Sequence, residues 1–171
     1  MRKSVQFLLL FLMCISASWT WASDAPERTV LFNMGDYDSQ YWRIPALVTA
    51  ADNSLVAVVD KRGSSLGDLP NTISIMSRRS TDNGKNWSEP VVVAQGGNGK
   101  TYGDPAVVLD KKTGNLICMF VGDQGLWNAT PYNRQGIYVS KSTDNGVSWS
   151  EPVAITCLLY TSPSPRDAHE S

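Results

Sequence analysis

Ser80-Thr81-Asp82-Asn83-Gly84-Lys85-Asn86-Trp87-Ser88-Glu89-Pro90-Val91 returns almost unchanged as Ser142-Thr143-Asp144-Asn145-Gly146-Val147-Ser148-Trp149-Ser150-Glu151-Pro152-Val153. The two copies stand 62 residues apart. Looser matches run upstream of them at nearly the same offset: Pro45-Ala46-Leu47-Val48 with Pro105-Ala106-Val107-Val108 at 60, and Leu55 with Leu116 at 61. The repeat is therefore a whole structural unit and not a short motif used twice.

Each unit contains four short β-type runs separated by turn residues. In the first they are Ile44 to Thr49, Leu55 to Asp60, Thr72 to Arg78 and Val91 to Ala94; in the second, Ala106 to Leu109, Leu116 to Val121, Gly136 to Lys141 and Val153 to Ile155. Four strands per unit predict the blade of a β-propeller, so the chain reads as all-β with about two four-stranded blades. One blade cannot bury both of its faces, and such sheets are stable only when stacked on neighbours. The repeated Ser-x-Asp-x-Gly-x-x-Trp falls between the third and fourth strands of each blade. A short carboxylate there accepts hydrogen bonds from its own turn, glycine supplies a positive φ without steric cost, and tryptophan covers the turn while offering its N–H. This is the Asp-box. Ser80, Asp82, Gly84, Trp87 and their counterparts Ser142, Asp144, Gly146 and Trp149 are expected to be structural, since the box closes turns in propellers that only bind as well as in enzymes.

The rest of the chain sets bounds. Its 171 residues suit about one domain, and 42% hydrophobic with 18% charged residues is an ordinary globular composition. Fifteen basic residues against sixteen acidic ones leave a net charge of −1, with no basic field to collect phosphates, so nucleic acid is not an expected partner. Residues 1–22 have the three parts of an export signal: Arg2 and Lys3, the apolar run Val5 to Ile15, and a small-residue segment ending Thr20-Trp21-Ala22. That run is too short for a bilayer span of roughly 20 residues. The mature protein is expected to begin after Ala22, to lack a membrane span, and to lie in the periplasm or outside the cell. Cys118 sits in a strand-like run and reads as a small buried hydrophobe, and no disulfide is expected. The propeller domain is placed at residues 23–156. From Cys157 the pattern breaks into Cys-Leu-Leu-Tyr-Thr-Ser-Pro-Ser-Pro-Arg-Asp, which resembles a conceptual translation of a transposase-type sequencing adapter. Residues 157–171, which hold His169, are expected to be a non-native tail with no reason to fold.

Strand direction locates a candidate site. If the first strand descends from Ile44 and the second returns upward to Asp60, then Arg43 and Arg62 share the upper rim, with Asp68 in the loop leaving it. The third strand then descends, which sends both Asp-boxes to the lower rim. By the 60-residue offset Asp104 takes the second blade's place of Ile44, at the same upper mouth. Any one of these charges alone reads as a solvated loop residue; two arginines and two carboxylates together read as a site. In Tyr41-Trp42-Arg43-Ile44-Pro45 the proline is expected to fix the chain entry and Ile44 to pin the strand, aiming a guanidinium into the cleft.

Arg43-Ile44-Pro45 resembles the Arg-Ile-Pro motif of the sialidase, or neuraminidase, family. Asp60-Lys61-Arg62-Gly63 with Asp68 resembles that family's second arginine and its acid/base aspartate, at spacings of 19 and 25 residues from Arg43. Gly103-Asp104-Pro105 resembles its second aspartate. The resemblance covers residues 29–156 and implies a bacterial-type exo-α-sialidase on a six-bladed propeller, acting with retention on sialylated glycans of glycoproteins, gangliosides or oligosaccharides, with no cofactor and no metal. It implies that Arg43 holds the sialic acid carboxylate in a bidentate fork, and that Arg62 contacts the carboxylate or the O4 side of the ring. Asp68 then protonates the departing oxygen, and Asp104 helps bind the N-acetyl or O4 region. Sialidases use a tyrosine nucleophile, which in the family comes from a later blade with its partner glutamate and two more arginines. Tyr37, Tyr41, Tyr102, Tyr132 and Tyr138 do not match that late position, though Tyr102, beside Asp104, is a candidate for the pocket lining. On this reading the chain is an inactive N-terminal fragment. The reading from a different class is a non-catalytic Asp-box propeller that binds carbohydrate or protein.

Overall fold

The structure, a computed structural model, describes residues 28–160. The expected export signal at 1–22 lies outside the described residues, as does most of the expected tail, including His169. Two four-stranded antiparallel sheets follow one another along the chain, each with its strands in sequence order. The first comprises β1 (Trp42–Thr49), β2 (Leu55–Lys61), β3 (Ser74–Ser80) and β4 (Val91–Ala94). The second comprises β5 (Tyr102–Leu109), β6 (Leu116–Gly122), β7 (Gly136–Ser142) and β8 (Val153–Ala154). All eight expected runs are strands. A one-turn helix, Thr156–Tyr160, carries the chain into the first residues of the expected tail, where no structure was anticipated.

The two blades are built alike down to an irregularity. In β1 the ladder with β2 slips between Arg43 and Ala46, and in β5 the ladder with β6 slips between Gly103 and Ala106. The residue inside each bulge is left-handed, Ile44 at φ 52° and Asp104 at φ 57°, and a proline follows each. This corrects the expected role of Ile44. A β-branched residue at positive φ is a genuine outlier, and Ile44, 37% exposed, stands outside the core and does not anchor the strand there. What the bulge does is bend the start of the inner strand, letting β1 and β5 begin two to four residues earlier than their hydrophobic runs suggest.

The core lies between the sheets. Val56, Val58 and Ile75 of the first meet Leu116, Cys118 and Phe120 of the second, with β5 packed against β1, β2 and β3. Cys118 is buried as expected, and burial pushes its thiol up to about 12, which leaves it an inert filler. It and the exposed Cys157 are both free. Polar contacts tie the blades as well. The Ser140 hydroxyl donates to the Val93 carbonyl at 3.2 Å, and Arg79 Nε donates to the Asn145 carbonyl at 3.0 Å. Among the described residues no helix is long and apolar enough to cross a membrane.

Both Asp-boxes close as their sequence requires. Asp82 Oδ1 accepts the Asn86 amide at 2.8 Å and the Ser80 hydroxyl at 2.8 Å, while Asp144 Oδ1 accepts the Ser148 amide at 2.9 Å and the Ser142 hydroxyl at 2.7 Å. Gly84 and Gly146 both take φ 87°, and their amides donate to Ser80 and Ser142. The two tryptophans differ. Trp87 Nε1 donates to Gly84 of its own turn at 2.9 Å, whereas Trp149 Nε1 reaches across to the Ser77 hydroxyl of the first blade at 3.0 Å.

The box carboxylates give a pH dependence. The Asn86 backbone and side-chain amides, with Ser80, hold Asp82 down at about 2, below the ordinary 3.8. The folded box therefore binds fewer protons than the unfolded chain, so its stabilisation is present above pH 3.8 and is lost as pH falls toward 2. Asp60 acts in the opposite sense. Burial pushes its carboxyl up to about 6 despite Arg62, so its contribution is greatest below pH 3.8 and declines as pH rises through 6. In thermal melts between pH 4 and 2, Asp82→Asn should lose less stability than the wild type; parallel losses would mean that the Asp82 bonds are not formed in solution.

Candidate functional site

β2 decides which end of the sheet carries chemistry. It starts at Leu55, paired with Ser80 beside the Asp-box, and ends at Lys61, paired with Ser74. The box and Arg62 are thus at opposite ends of the blade. At the Arg62 end lie Arg43 before the β1 bulge, the β2–β3 loop with Asp68, Asp104 in the β5 bulge, and the β6–β7 loop from Asp123 to Gln135.

The structure brings the four expected site residues to this rim but gives the arginines unlike positions. Arg62 is 2% exposed and nearly all its donors are spent. Its Nε and Nη2 donate to Asp60 Oδ2 at 3.1 and 2.8 Å, and its Nη1 meets the Leu66 and Gly67 carbonyls, each at 3.1 Å, and Asp68 Oδ1 at 2.5 Å. Nη2 also lies 3.9 Å from Asp104 Oδ1. Arg43, by contrast, has a side chain 42% exposed; its Nη1 donates to the Leu66 carbonyl at 3.2 Å and stands 3.6 Å from Asp68 Oδ1. A guanidinium carries five N–H donors in a planar fork, so Arg43 keeps an open edge for an incoming anion and Arg62 does not.

Asp68 and Asp104 face solvent, with side chains 54% and 56% exposed. The hydrogen bond from Arg62, with the charge of Arg43 behind it, holds the Asp68 carboxyl below the usual carboxylate value. As it stands, Asp68 is an ionised acceptor. To donate a proton it must leave Arg62 or be desolvated by a ligand.

Arg62, Asp68 and Asp104 line one cavity of about 110 Å³ together with Leu69, Leu126 and Trp127. That is well below the roughly 300 Å³ of an ordinary ligand pocket. It is one wall of a site and not an enclosed one. Tyr37, Tyr41, Tyr102, Tyr132 and Tyr138 do not line it. Tyr102 is a correction to the expectation: 6% exposed, it packs edge-on against Phe120 and Tyr138 at 5.4 and 5.2 Å and belongs to the core. Among the described residues no group of three or more His, Cys, Asp or Glu comes together that could hold a metal ion.

Sequence reasoning missed two parts of this rim. One is the apolar wall from the β6–β7 loop, where a one-turn helix, Gly125–Asn128, presents Trp127 83% exposed. The length of that loop, matching the β2–β3 loop of the first blade, was the available signal. The loop is tethered by Tyr138, whose hydroxyl donates to Asp123 at 2.9 Å. The other is Asp60. It is fully buried, and besides Arg62 its Oδ1 accepts the Asp104 amide of the neighbouring blade at 3.1 Å. A lone aspartate ending an apolar strand gave no hint of that second partner.

Comparison with known proteins places these features. The BNR repeat-like domain family matches residues 44–169. A sialidase of Bacteroides fragilis is 33% identical over 141 residues, covering 71% of this chain and 26% of that protein. A sialidase of Micromonospora viridifaciens is 36% identical over 121 residues, covering 64% of this chain and 18% of its own length. Among solved structures, the Hadza microbial sialidase Hz136 superposes with a TM-score of 0.66 at 33% identity, over 72% of this chain and 28% of that one. The chain thus spans about a quarter or less of the length of these two relatives.

Proposed function

This chain belongs to the bacterial-type sialidase family, its two sheets being blades of a partial β-propeller, and from that premise we propose that its upper rim forms part of the site of an exo-α-sialidase acting on terminal sialic acids of glycoconjugates. The observation that carries the reading is the unlike pair of arginines. One is locked among carboxylates and carbonyls, and the other is left open beside a solvent-facing aspartate.

The geometry supports the following assignment of roles. The open edge of Arg43 meets the sugar carboxylate as a planar fork, a charge-assisted pairing worth about 1.5–3 kcal/mol. Arg62 lies too deep to bind in the same way and serves to hold Asp68 and the loop carbonyls of Leu66 and Gly67. Asp68 protonates the glycosidic oxygen as the bond to the anomeric carbon breaks, once the bound sugar has excluded water and raised its proton affinity; it then takes a proton from the attacking water in the second step, which yields retention. Asp104 accepts hydrogen bonds from the sugar's polar substituents. No tyrosine among the described residues lines the cavity, and we assign the nucleophile, a tyrosine with its glutamate, to residues outside 28–160, together with the arginines that complete the carboxylate clamp. The segment 28–160 is by itself inactive in this proposal. The proposal includes export, on the strength of residues 1–22.

The test is an aryl α-sialoside assay on the whole protein that carries this segment, with aryl β-galactoside as the control. Arg43→Lys should lower kcat/KM tenfold or more, because a point charge cannot replace the fork. Unchanged kinetics would remove Arg43 from the site. Sialoside binding without turnover would favour the non-catalytic propeller.

A further inference from the structure

Beneath the rim, one carboxylate touches both halves of the proposed site. Asp60 Oδ2 takes Nε and Nη2 of Arg62, while Oδ1 takes the backbone N–H of Asp104 from the other blade. Arg62 in turn holds Asp68 and the Leu66 and Gly67 carbonyls. The two solvent-facing aspartates of the cavity wall, one in the β2–β3 loop and one in β5, 36 residues apart, are thus joined through two buried side chains, Arg62 and Asp60.

Packing does not require a charge there. The rest of β2 from Val56 to Val59 is buried and apolar, and apolar residues at positions 60 and 62 together would continue the same core without desolvating an ion. Burying a carboxylate and a guanidinium is costly, and a well-packed apolar replacement of such a pair is often neutral or stabilising. The pair is explained if its benefit lies in geometry. The bulge amide of Asp104 also needs an acceptor inside the fold, and its left-handed φ of 57° turns it toward Asp60.

We propose that Asp60 is a positioning residue: by gripping the Arg62 guanidinium and the Asp104 backbone together, it sets the spacing between the Asp68 and Asp104 sides of the cleft across the blade interface. The effect on catalysis rests on the sialidase reading; the grip itself does not.

Two measurements separate these levels. On the chain itself, NMR hydrogen exchange should find the Arg62 Nε–H and the Asp104 amide protected, and Asp60→Asn should speed both at least tenfold while the Val56 and Val58 amides keep their protection. Unchanged exchange at Arg62 and Asp104 would overturn the proposal. In the whole protein carrying this segment, Asp60→Asn should lower kcat/KM for sialyllactose, whose sugar leaving group needs the proton from Asp68, at least 30-fold, mostly in kcat, with the melting temperature within a few degrees of wild type. Ser77→Ala, which removes the inter-blade bond from Trp149 and the Ser77 hydroxyl's bond to the Val91 carbonyl, both away from the rim, should lower stability and leave the rate alone. If Asp60→Asn does not fold, Asp60→Glu keeps the charge but moves it by one methylene, and should fold with at least a tenfold loss of kcat/KM. Wild-type rates in either folded variant would overturn the positioning role. A wild-type protein that shows the exchange pattern but does not act on sialosides would defeat the sialidase reading and leave the grip established.

Discussion

Replacing Asp68 by Asn in the whole protein that carries this segment should slow cleavage of natural sialosides by roughly 10² or more, and slow an aryl sialoside with an activated phenol far less. General acid catalysis contributes about 10²–10⁴ when the leaving group must be protonated. A sugar alkoxide must be, and an acidic phenol need not be. The geometry makes the test sharp. Asp68 is exposed on the rim and its carboxyl is held low by the Arg62 bond, so Asn replaces it with no buried charge left behind on its side. Arg62 keeps Asp60 and two carbonyls as partners, so folding should be unaffected. Equal losses on both substrates would mean that Asp68 binds the sugar and does not transfer a proton.

Gly146→Ala should destabilise the fold by about 3 kcal/mol, and Gly84→Ala by about 1, although the two glycines occupy the same place in the two boxes. Both sit at φ 87°, where any L-residue costs roughly 1–2 kcal/mol. Beyond that their surroundings diverge. A Cβ on Gly146 would lie 2.7 Å from Val56 Cγ2 and 3.1 Å from Cγ1, inside the blade interface, whereas a Cβ on Gly84 meets nothing nearer than Leu55 Cδ1 at 3.7 Å. Val56 is fully buried and cannot step aside, and overpacking of that kind costs about 1–3 kcal/mol. At about 4 °C per kcal/mol for a domain of this size, the melting temperature should drop by about 12 °C for Gly146→Ala and about 4 °C for Gly84→Ala. Equal drops would mean that the second box does not dock on Val56 in solution.

The same contrast marks where reading residues in order stops being sufficient. Eight strands, their grouping into two blades, the closure of both boxes and the burial of Cys118 are consequences of local patterns: alternation of side chains, turn residues with one conformational preference, a repeat at a fixed offset. That Arg43, Arg62, Asp68 and Asp104 share a rim follows too, because antiparallel strands reverse direction at each turn and counting them fixes which ends coincide.

What the sequence by itself determined, then, was the blade and the end of the blade on which the charges stand, since both depend on neighbours within a few residues. Only the tertiary structure decided which of two identical tryptophans bonds its own turn and which reaches Ser77, that Tyr102 belongs to the core, that Ile44 takes a left-handed bulge conformation, and that Arg62 is spent while Arg43 is open. The tryptophan contrast turns on a partner far along the chain, Trp149 lying 72 residues from Ser77, and so does the grip of Asp60 on Asp104, 44 residues away. A side chain's local sequence sets what it is able to donate or accept; the packing of one sheet on another sets what stands within 3 Å of it.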